Sequence, residues 1–410
     1  MSLFQDANVI MQAALHAALP DTAVEKALKE LPQYSGKLVL IAAGKAAWQM
    51  AYAAYAQLGA KIDSGVVITK HGHAMGPIGP LDIREAGHPV PDEDSYTATA
   101  AAIRAVSGLT ADDLVLFLLS GGGSALFEKP LLPPEELADI TRQLLACGAD
   151  ITEINTLRKR FSAVKGGKFA QLCAPAHVFS IVLSDILGDP LDMIASGPAY
   201  PDSTTCEQAQ AIAKKYDLHL SDLARNLLTK ETPKDLPNAE SRITGSVRQL
   251  CAAASESAQA LGYKPVVLTA SLCCEARDAG SFLASIAQYH AGSKESLAFI
   301  AGGETVVHLT GHGKGGRNQE LALAAARGLD GLRDTLVFSL GSDGTDGPTD
   351  AAGGWVDGTS LRRMTEKGYD LDAVLQDNDA YHALSAVDGL ILTGPTGTNV
   401  NDLSVLLIRR

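Results

Sequence analysis

Aromatic residues are scarce, 5% of the 410, so a core built mainly on stacked rings is excluded and aliphatic packing must carry the fold. Positive charge is also in deficit. Lysine and arginine number 34 against 47 aspartates and glutamates, a net charge of −13. That balance excludes a broad grip on nucleic acid or on an anionic membrane surface, and an acidic protein that binds anions must gather its cations locally. The six cysteines, Cys147, Cys173, Cys206, Cys251, Cys273 and Cys274, form no CxxC pair. The adjacent Cys273 and Cys274 suit neither a disulfide framework nor a zinc site, so reduced thiols are expected. No run reaches the ~18 apolar residues of a membrane span. Residues Met1 to Leu19 lack the basic start and long apolar stretch of a signal peptide and read as an amphipathic helix. A cytoplasmic protein without membrane or nucleic-acid partners is the expectation.

What is present is alternation. Apolar strand-like runs at Leu38–Ala43, Gly65–Thr69, Leu114–Leu119 and Val178–Leu183 are separated by helical patterns at Ala46–Leu58, Tyr96–Val106 and Pro133–Cys147. Continuous apolar strands between helices indicate a parallel sheet covered on both faces. Lys, Glu, Pro and Asp dominate between Leu228 and Asn238, which places a boundary there: an N-terminal domain over 1–235 and a C-terminal one over 236–410. The second series has a helix near Val247–Leu261, then strands at Pro265–Thr269, Leu297–Ala301, Thr305–Thr310, Thr335–Leu340, Gly389–Thr393 and Leu403–Ile408. In both halves glycine-rich loops follow strands, where open α/β sheets bind ligands. An active site in the cleft between two α/β domains is the simplest assembly.

The chemistry-bearing residues sit in those loops. Gly311-His-Gly313-Lys-Gly315-Gly316-Arg317-Asn318 opens a helical pattern at Leu321; glycine N–H groups, a helix N-terminus and two cations suit an anionic ligand. The embedded GxGxxG is by itself a weak dinucleotide signal. Lys45, between a strand and an Ala-rich helix, reads either as a phosphate contact or as a surface lysine. Ser120-Gly121-Gly122-Gly123-Ser124 makes a better phosphate nest than a simple turn. Asn155, Arg158, Lys159, Ser162 and Lys165 share one face if helical. Asp185 and Asp189 can hold Mg²⁺ or can simply be turn residues. Asp343, Asp346 and Asp350 are three like charges in one loop that call for a compensating cation, Mg²⁺ or Arg317. Asp343 is the candidate for accepting the proton of a substrate hydroxyl or orienting that group. His71 and His73 lack a third ligand of matching type and read as loop residues, and His88 has no evident role.

In their order, Ser120–Ala125, Ser184–Pro190, Ile194–Pro198, Gly341–Asp350 and Gly394–Asp402 resemble the glycerate 2-kinase family, some members of which are also named hydroxypyruvate reductases. The resemblance covers nearly the whole chain. It implies a Rossmann-like first domain with a mostly parallel sheet and a second domain with a mixed sheet that contains the MOFRL region, about 297–405. It implies transfer of the γ-phosphoryl group of ATP, with Mg²⁺, to the 2-hydroxyl of D-glycerate. Together with the reading of the loops above, it makes Lys45, Arg317, Asp189 and Asp343 the catalytic set. Nucleotide phosphates are assigned to residues 120–124 and to Gly313, Gly315 and Gly316. Substrate contacts are assigned to Arg317, Lys45, Arg158, Lys165 and Asn318, and the metal to Asp189 and Asp185. A monomer or a homodimer is compatible with all of this. The rival is an NAD(P)H-dependent hydroxypyruvate reductase; it requires the glycine fingerprint to open a βαβ unit with an acidic residue about 20 positions on.

Overall fold

The computed structural model describes residues 2–184, 188 and 190–410. The chain forms two compact units: one holds residues 23–184 and 190–244, the other 2–22 and 245–410.

The first unit contains β1 (Leu38–Ala43), β2 (Ser64–Lys70), β3 (Leu81–Ala86), β4 (Leu114–Leu119), β5 (His177–Val182) and β6 (Ala239–Ile243). They form one six-stranded sheet in the order β3-β2-β1-β4-β5-β6, and every pair is parallel. This is the doubly wound order. β1 and β4 lie in its middle and are buried at every position. Helices cover both faces, so nothing in these two strands needs to be polar. β3 and β6, at the edges, mix polar with apolar residues, which hides them from a search for apolar runs.

The second unit contains β7 (Lys264–Leu272), β8 (Leu297–Gly303), β9 (Thr335–Gly341), β10 (Gly353–Asp357), β11 (Leu390–Ile391) and β12 (Asp402–Ile408). Their order is β11-β10-β9-β12-β8-β7. The sheet is mixed: β7 pairs with β8 in parallel, and the other pairs are antiparallel. The strand expected over 305–310 does not form; only Val306 makes a single bridge, to Glu275. β8 just before it already has β12 on one side and β7 on the other, so the β-branched run that follows cannot pair with β8. The N-terminal helix Leu3–Ala17 belongs to this unit. Its Ala7, Ile10, Met11, Ala14 and Leu15 pack with Leu250, Ala254, Ile300 and Phe338, and Tyr263 donates a 2.7 Å hydrogen bond to its buried Asp6. Among the described residues no helix is long and apolar enough to cross a membrane.

Candidate active site

In the first unit β1 and β4 are neighbours in register, ending together at Ala43 and Leu119. From β1 the sheet continues through β2 and β3, and from β4 through β5 and β6 in the other direction. The ends of β1 and β4 are therefore the topological switch point, where such sheets bind ligands. Gly44 follows β1 with a φ of 131°, and a Cβ on it would lie 2.2 Å from Ser120 Oγ. Only glycine lets the two strand-end loops meet this closely. Lys45 N–H donates to the Gly121 carbonyl at 2.9 Å, and Ala46 N–H to the Ser120 hydroxyl at 3.1 Å.

Lys45 itself is exposed and stands just ahead of the helix Ala47–Leu58. Gly122 makes the turn with a φ of 84°; a Cβ there would come within 3.2 Å of Lys45 Cγ and 2.9 Å of His88 Cδ2. Lys45, the 120–124 loop and His88 thus converge. Burial, and then the charge of Lys45, hold the His88 pKa below its ordinary value, which keeps the ring neutral at pH 7. Among the described residues the N–H groups of Gly121, Gly122 and Ser124 carry no bond. They are the open part of the loop. Ser120 and Gly123 are not: the Ser120 hydroxyl is taken by Ala46, Gly123 N–H donates to the Ser120 carbonyl at 3.3 Å, and both residues are buried. They brace the nest and do not face a ligand.

The basic face expected from Asn155 to Lys165 divides. The helix ends at Phe161. Lys159 is fully buried against Asp202 at 2.9 Å. Lys165 is fully buried too, its ammonium 3.1 Å from Glu128 and 2.7 Å from the Phe127 carbonyl. Burial lowers its pKa, but every donor contact found is internal, which removes Lys165 from the substrate contacts. A run of basic residues cannot reveal this, because Glu128 lies 37 positions earlier in the chain. Arg158 borders a cavity. Asp185 and Asp189 lie outside the described residues.

In the second unit a cavity of about 810 Å³ is lined by Glu304, Gly313, Gly315, Gly316, Arg317 and Asp343, among others. Arg317 begins the helix Arg317–Leu329. Its fork is engaged: Nε and Nη2 bind the two oxygens of Asp402 at 2.6 and 3.0 Å, and Nη1 binds Glu304 at 2.9 Å. Asp402 opens β12 between β8 and β9. Burial pushes its pKa up to about 6, against the pull of Arg317. The Arg317 pKa is raised in turn, since its carboxylate partners outweigh its partial burial. Sequence reading missed Asp402 and Glu304 as partners. The only signal was an acidic residue opening a mostly apolar strand.

Two N–H groups of the helix N-terminus are already capped from within the chain. Asp346 accepts from the N–H groups of Asn318 and Gln319 at 3.1 and 2.9 Å. Burial raises the Asp346 pKa, while those N–H groups pull it down. Asn318 is buried, its amide bonded to Asp346 at 3.3 Å and to the Ser339 hydroxyl at 2.6 Å, so it is a scaffold residue and not a substrate contact. The three aspartates of this loop do not share one cation. Asp346 caps the helix, Asp350 accepts from Tyr381 at 2.7 Å, and Asp343 faces the cavity, accepting from Thr345 N–H at 3.0 Å.

The glycine loop also has a different rationale. Gly311 N–H donates to Asn378, His312 N–H to Asp377, Gly313 N–H to the Asp377 carbonyl and Lys314 N–H to Asp379, all within 3.0 Å. A Cβ on Gly313 would lie 2.5 Å from Asp379 Cβ. Gly313 therefore serves close approach of the 377–379 segment and offers no N–H to a phosphate. Among the described residues Gly315 and Gly316 keep theirs unbonded.

A doubly wound sheet with a lysine and an open glycine nest at its switch point defines an α/β enzyme of the phosphate-handling class. Residues 6–229 match the family described as "Domain of unknown function (DUF4147)", and residues 297–402 match the MOFRL family. The chain is 49% identical to the D-glycerate 2-kinase of Thermotoga maritima, with 99% of each covered. It superposes on the crystal structure of the glycerate kinase of that organism with a TM-score of 0.94, covering 98% of this chain and 99% of that one. An Agrobacterium vitis relative named as a hydroxypyruvate reductase is 42% identical over 91% of this chain and 100% of its own. The chain belongs to the glycerate 2-kinase family, phosphotransferases with an alcohol acceptor.

Proposed function

We propose that this chain transfers the γ-phosphoryl group of ATP to the 2-hydroxyl of D-glycerate, giving 2-phosphoglycerate and ADP, with Mg²⁺. The observation that carries the reading is the convergence of Lys45 with the open N–H groups of Gly121, Gly122 and Ser124 at the switch point of a parallel sheet. Phosphoryl transfer asks a protein for positioning and charge stabilisation, and this is a place where both are available. Lys45 and the nest hold phosphate oxygens, and neutral His88 beside them donates or accepts one hydrogen bond.

In the second unit Asp343 orients the acceptor hydroxyl and takes its proton, while Arg317, aimed by Asp402, neutralises a carboxylate or phosphoryl oxygen. Glu304 is the exchangeable partner of that arginine, being half exposed where Asp402 is buried. Mg²⁺ favours one or two carboxylates plus substrate oxygens. Glu304 and Asp343 give this cavity oxygen donors of that kind, and the assignment of Asp189 and Asp185 to the metal is retained. When bound, the ion supplies charge neutralisation between phosphate oxygens.

The reductase reading fares worse on one observation. A dinucleotide fingerprint joins its strand directly to its helix, whereas here residues 304–316 separate β8 from the helix at Arg317, and that sheet is mixed. Phosphorus NMR of a reaction with ATP and D-glycerate is expected to show 2-phosphoglycerate, and a chelator is expected to abolish it. Oxidation of NADPH by hydroxypyruvate with no ADP formed would overturn the proposal.

A further inference from the structure

A cavity of about 370 Å³ lies beside Ser124, at the end of the open glycine nest. Val90, Pro91, Leu137 and Leu145 form much of its wall, and Val90 and Leu145 are 70% and 63% exposed. Large aliphatic side chains left in water around a concave site indicate an apolar occupant. Polar side chains interrupt this lining, Tyr96, Ser124, Thr141 and Arg142 among them, and two more, Glu128 and Arg158, have charged groups short of partners among the described residues.

Glu128 is 2% exposed. Its Oε2 lies 3.1 Å from Lys165 Nζ. Its Oε1 is buried and has no hydrogen-bond partner among the described residues. A buried acceptor without a donor is costly, so such atoms are rare unless a ligand completes them. Arg158 is the complement. Among the described residues its guanidinium makes one hydrogen bond, 3.5 Å long, to Asn155, and burial lowers its pKa. The cavity therefore offers one acceptor lacking a donor and a fork of donors lacking an acceptor, between apolar walls.

Size and polarity decide what fits. Glycerate would satisfy the two polar groups but leave most of the volume and all of the apolar wall unfilled. A purine ring fills both. Adenine presents an amino donor beside a ring-nitrogen acceptor, which matches one free carboxylate oxygen and one guanidinium. Guanine offers its adjacent N1–H and N2–H donors best to two carboxylate oxygens, and Lys165 already holds the second.

We propose that this cavity is the nucleobase pocket, with adenine between the apolar walls, its amino group donating to Glu128 and a ring nitrogen accepting from Arg158. The inference rests on the reading that the first unit takes the nucleotide.

Ala138 borders the cavity and is exposed, so Ala138→Trp fills the space without emptying the core, and Arg158→Leu removes the donor fork. Binding of ADP and of inorganic pyrophosphate is measured by calorimetry, and KM for ATP, GTP and glycerate by turnover. Both variants are expected to weaken ADP roughly tenfold or more, with pyrophosphate affinity and KM for glycerate moved less than about twofold. Arg158→Leu is also expected to narrow the preference for ATP over GTP. Unchanged ADP affinity in Ala138→Trp, or a rise in KM confined to glycerate, would overturn the pocket assignment. Pyrophosphate that fails to compete with ADP in the unaltered protein, with ADP still weakened by the tryptophan, would remove the phosphate role of the loop and leave the pocket standing.

Discussion

Lys45 and Arg317 make opposite uses of positive charge. Lys45 is exposed beside unbonded N–H groups, so its charge is available, and Lys45→Ala is expected to lower kcat roughly 10²-fold, the scale of losing a transition-state charge contact, with an unchanged circular dichroism spectrum. Near-normal turnover would make it an ordinary surface lysine. Arg317 is bound on both edges, so its role depends on the fork and its aim. Lysine cannot span both oxygens of Asp402, and Arg317→Lys is expected to cost roughly 10²-fold in kcat/KM. A loss mainly in KM for glycerate assigns the arginine to the substrate carboxylate, and one mainly in kcat assigns it to the transferring group. A change within about twofold on both would refute either role.

Asp402 carries a pH signature. Its folded pKa of about 6 exceeds the unfolded value of about 3.9, so between the two the folded state holds more proton than the unfolded chain. Its contribution to stability is fully present below about pH 4 and is lost as pH rises through about 6. Other carboxylates titrate in the same range, so the difference between proteins isolates it. Relative to Asp402→Asn, the unaltered protein is expected to lose stability between about pH 4 and 6 in urea melts. Parallel pH profiles would show that Asp402 is ionised throughout.

At the scale of elements, the helix Arg317–Leu329 shows what a motif conceals. Its glycine-rich approach reads as an anion nest, yet two of its terminal N–H groups, those of Asn318 and Gln319, are satisfied by Asp346, 28 residues beyond Asn318. Gly316 is glycine because a Cβ would sit 2.3 Å from the Asp346 carboxyl carbon. Asp346→Ala should therefore cost about 1–3 kcal/mol by leaving two buried N–H groups unpaired, while Asp346→Asn, which keeps an acceptor, should cost less. Equal stability of the alanine variant in denaturant titration would mean that water replaces the cap.

The same scale marks the limit of the sequence. β1, β4, β5, β8, β9 and β12 were legible because burial on both faces makes them apolar runs. β3, β6 and β10 were not, because edge position and glycine content dilute that signal. Lys45 and the 120–124 nest were legible as loops after such strands. Lys165 with Glu128, Asn318 with Asp346 and Arg317 with Asp402 were not, since nothing in the local pattern says which distant carboxylate meets which donor.

At the scale of the whole molecule, chain order and unit membership part company. The helix Leu3–Ala17 opens the sequence, yet its apolar face completes the core around β8, β9 and β12, with Ile10 and Ala14 fully buried. Phe4 also reaches Trp355, ring centroids 4.6 Å apart. The chain has two tryptophans, Trp48 in the first unit and Trp355 in the second, so each unit carries its own fluorescent reporter when the other is replaced by phenylalanine. Ile10→Ala removes a buried aliphatic group and should cost about 2–5 kcal/mol. For a unit of this size each kcal/mol moves Tm by about 2–4 °C, so the Trp355 transition should fall by at least about 4 °C, with Trp48 as the internal control. A Trp355 transition that does not move would mean that the first helix lies against the second unit without stabilising it.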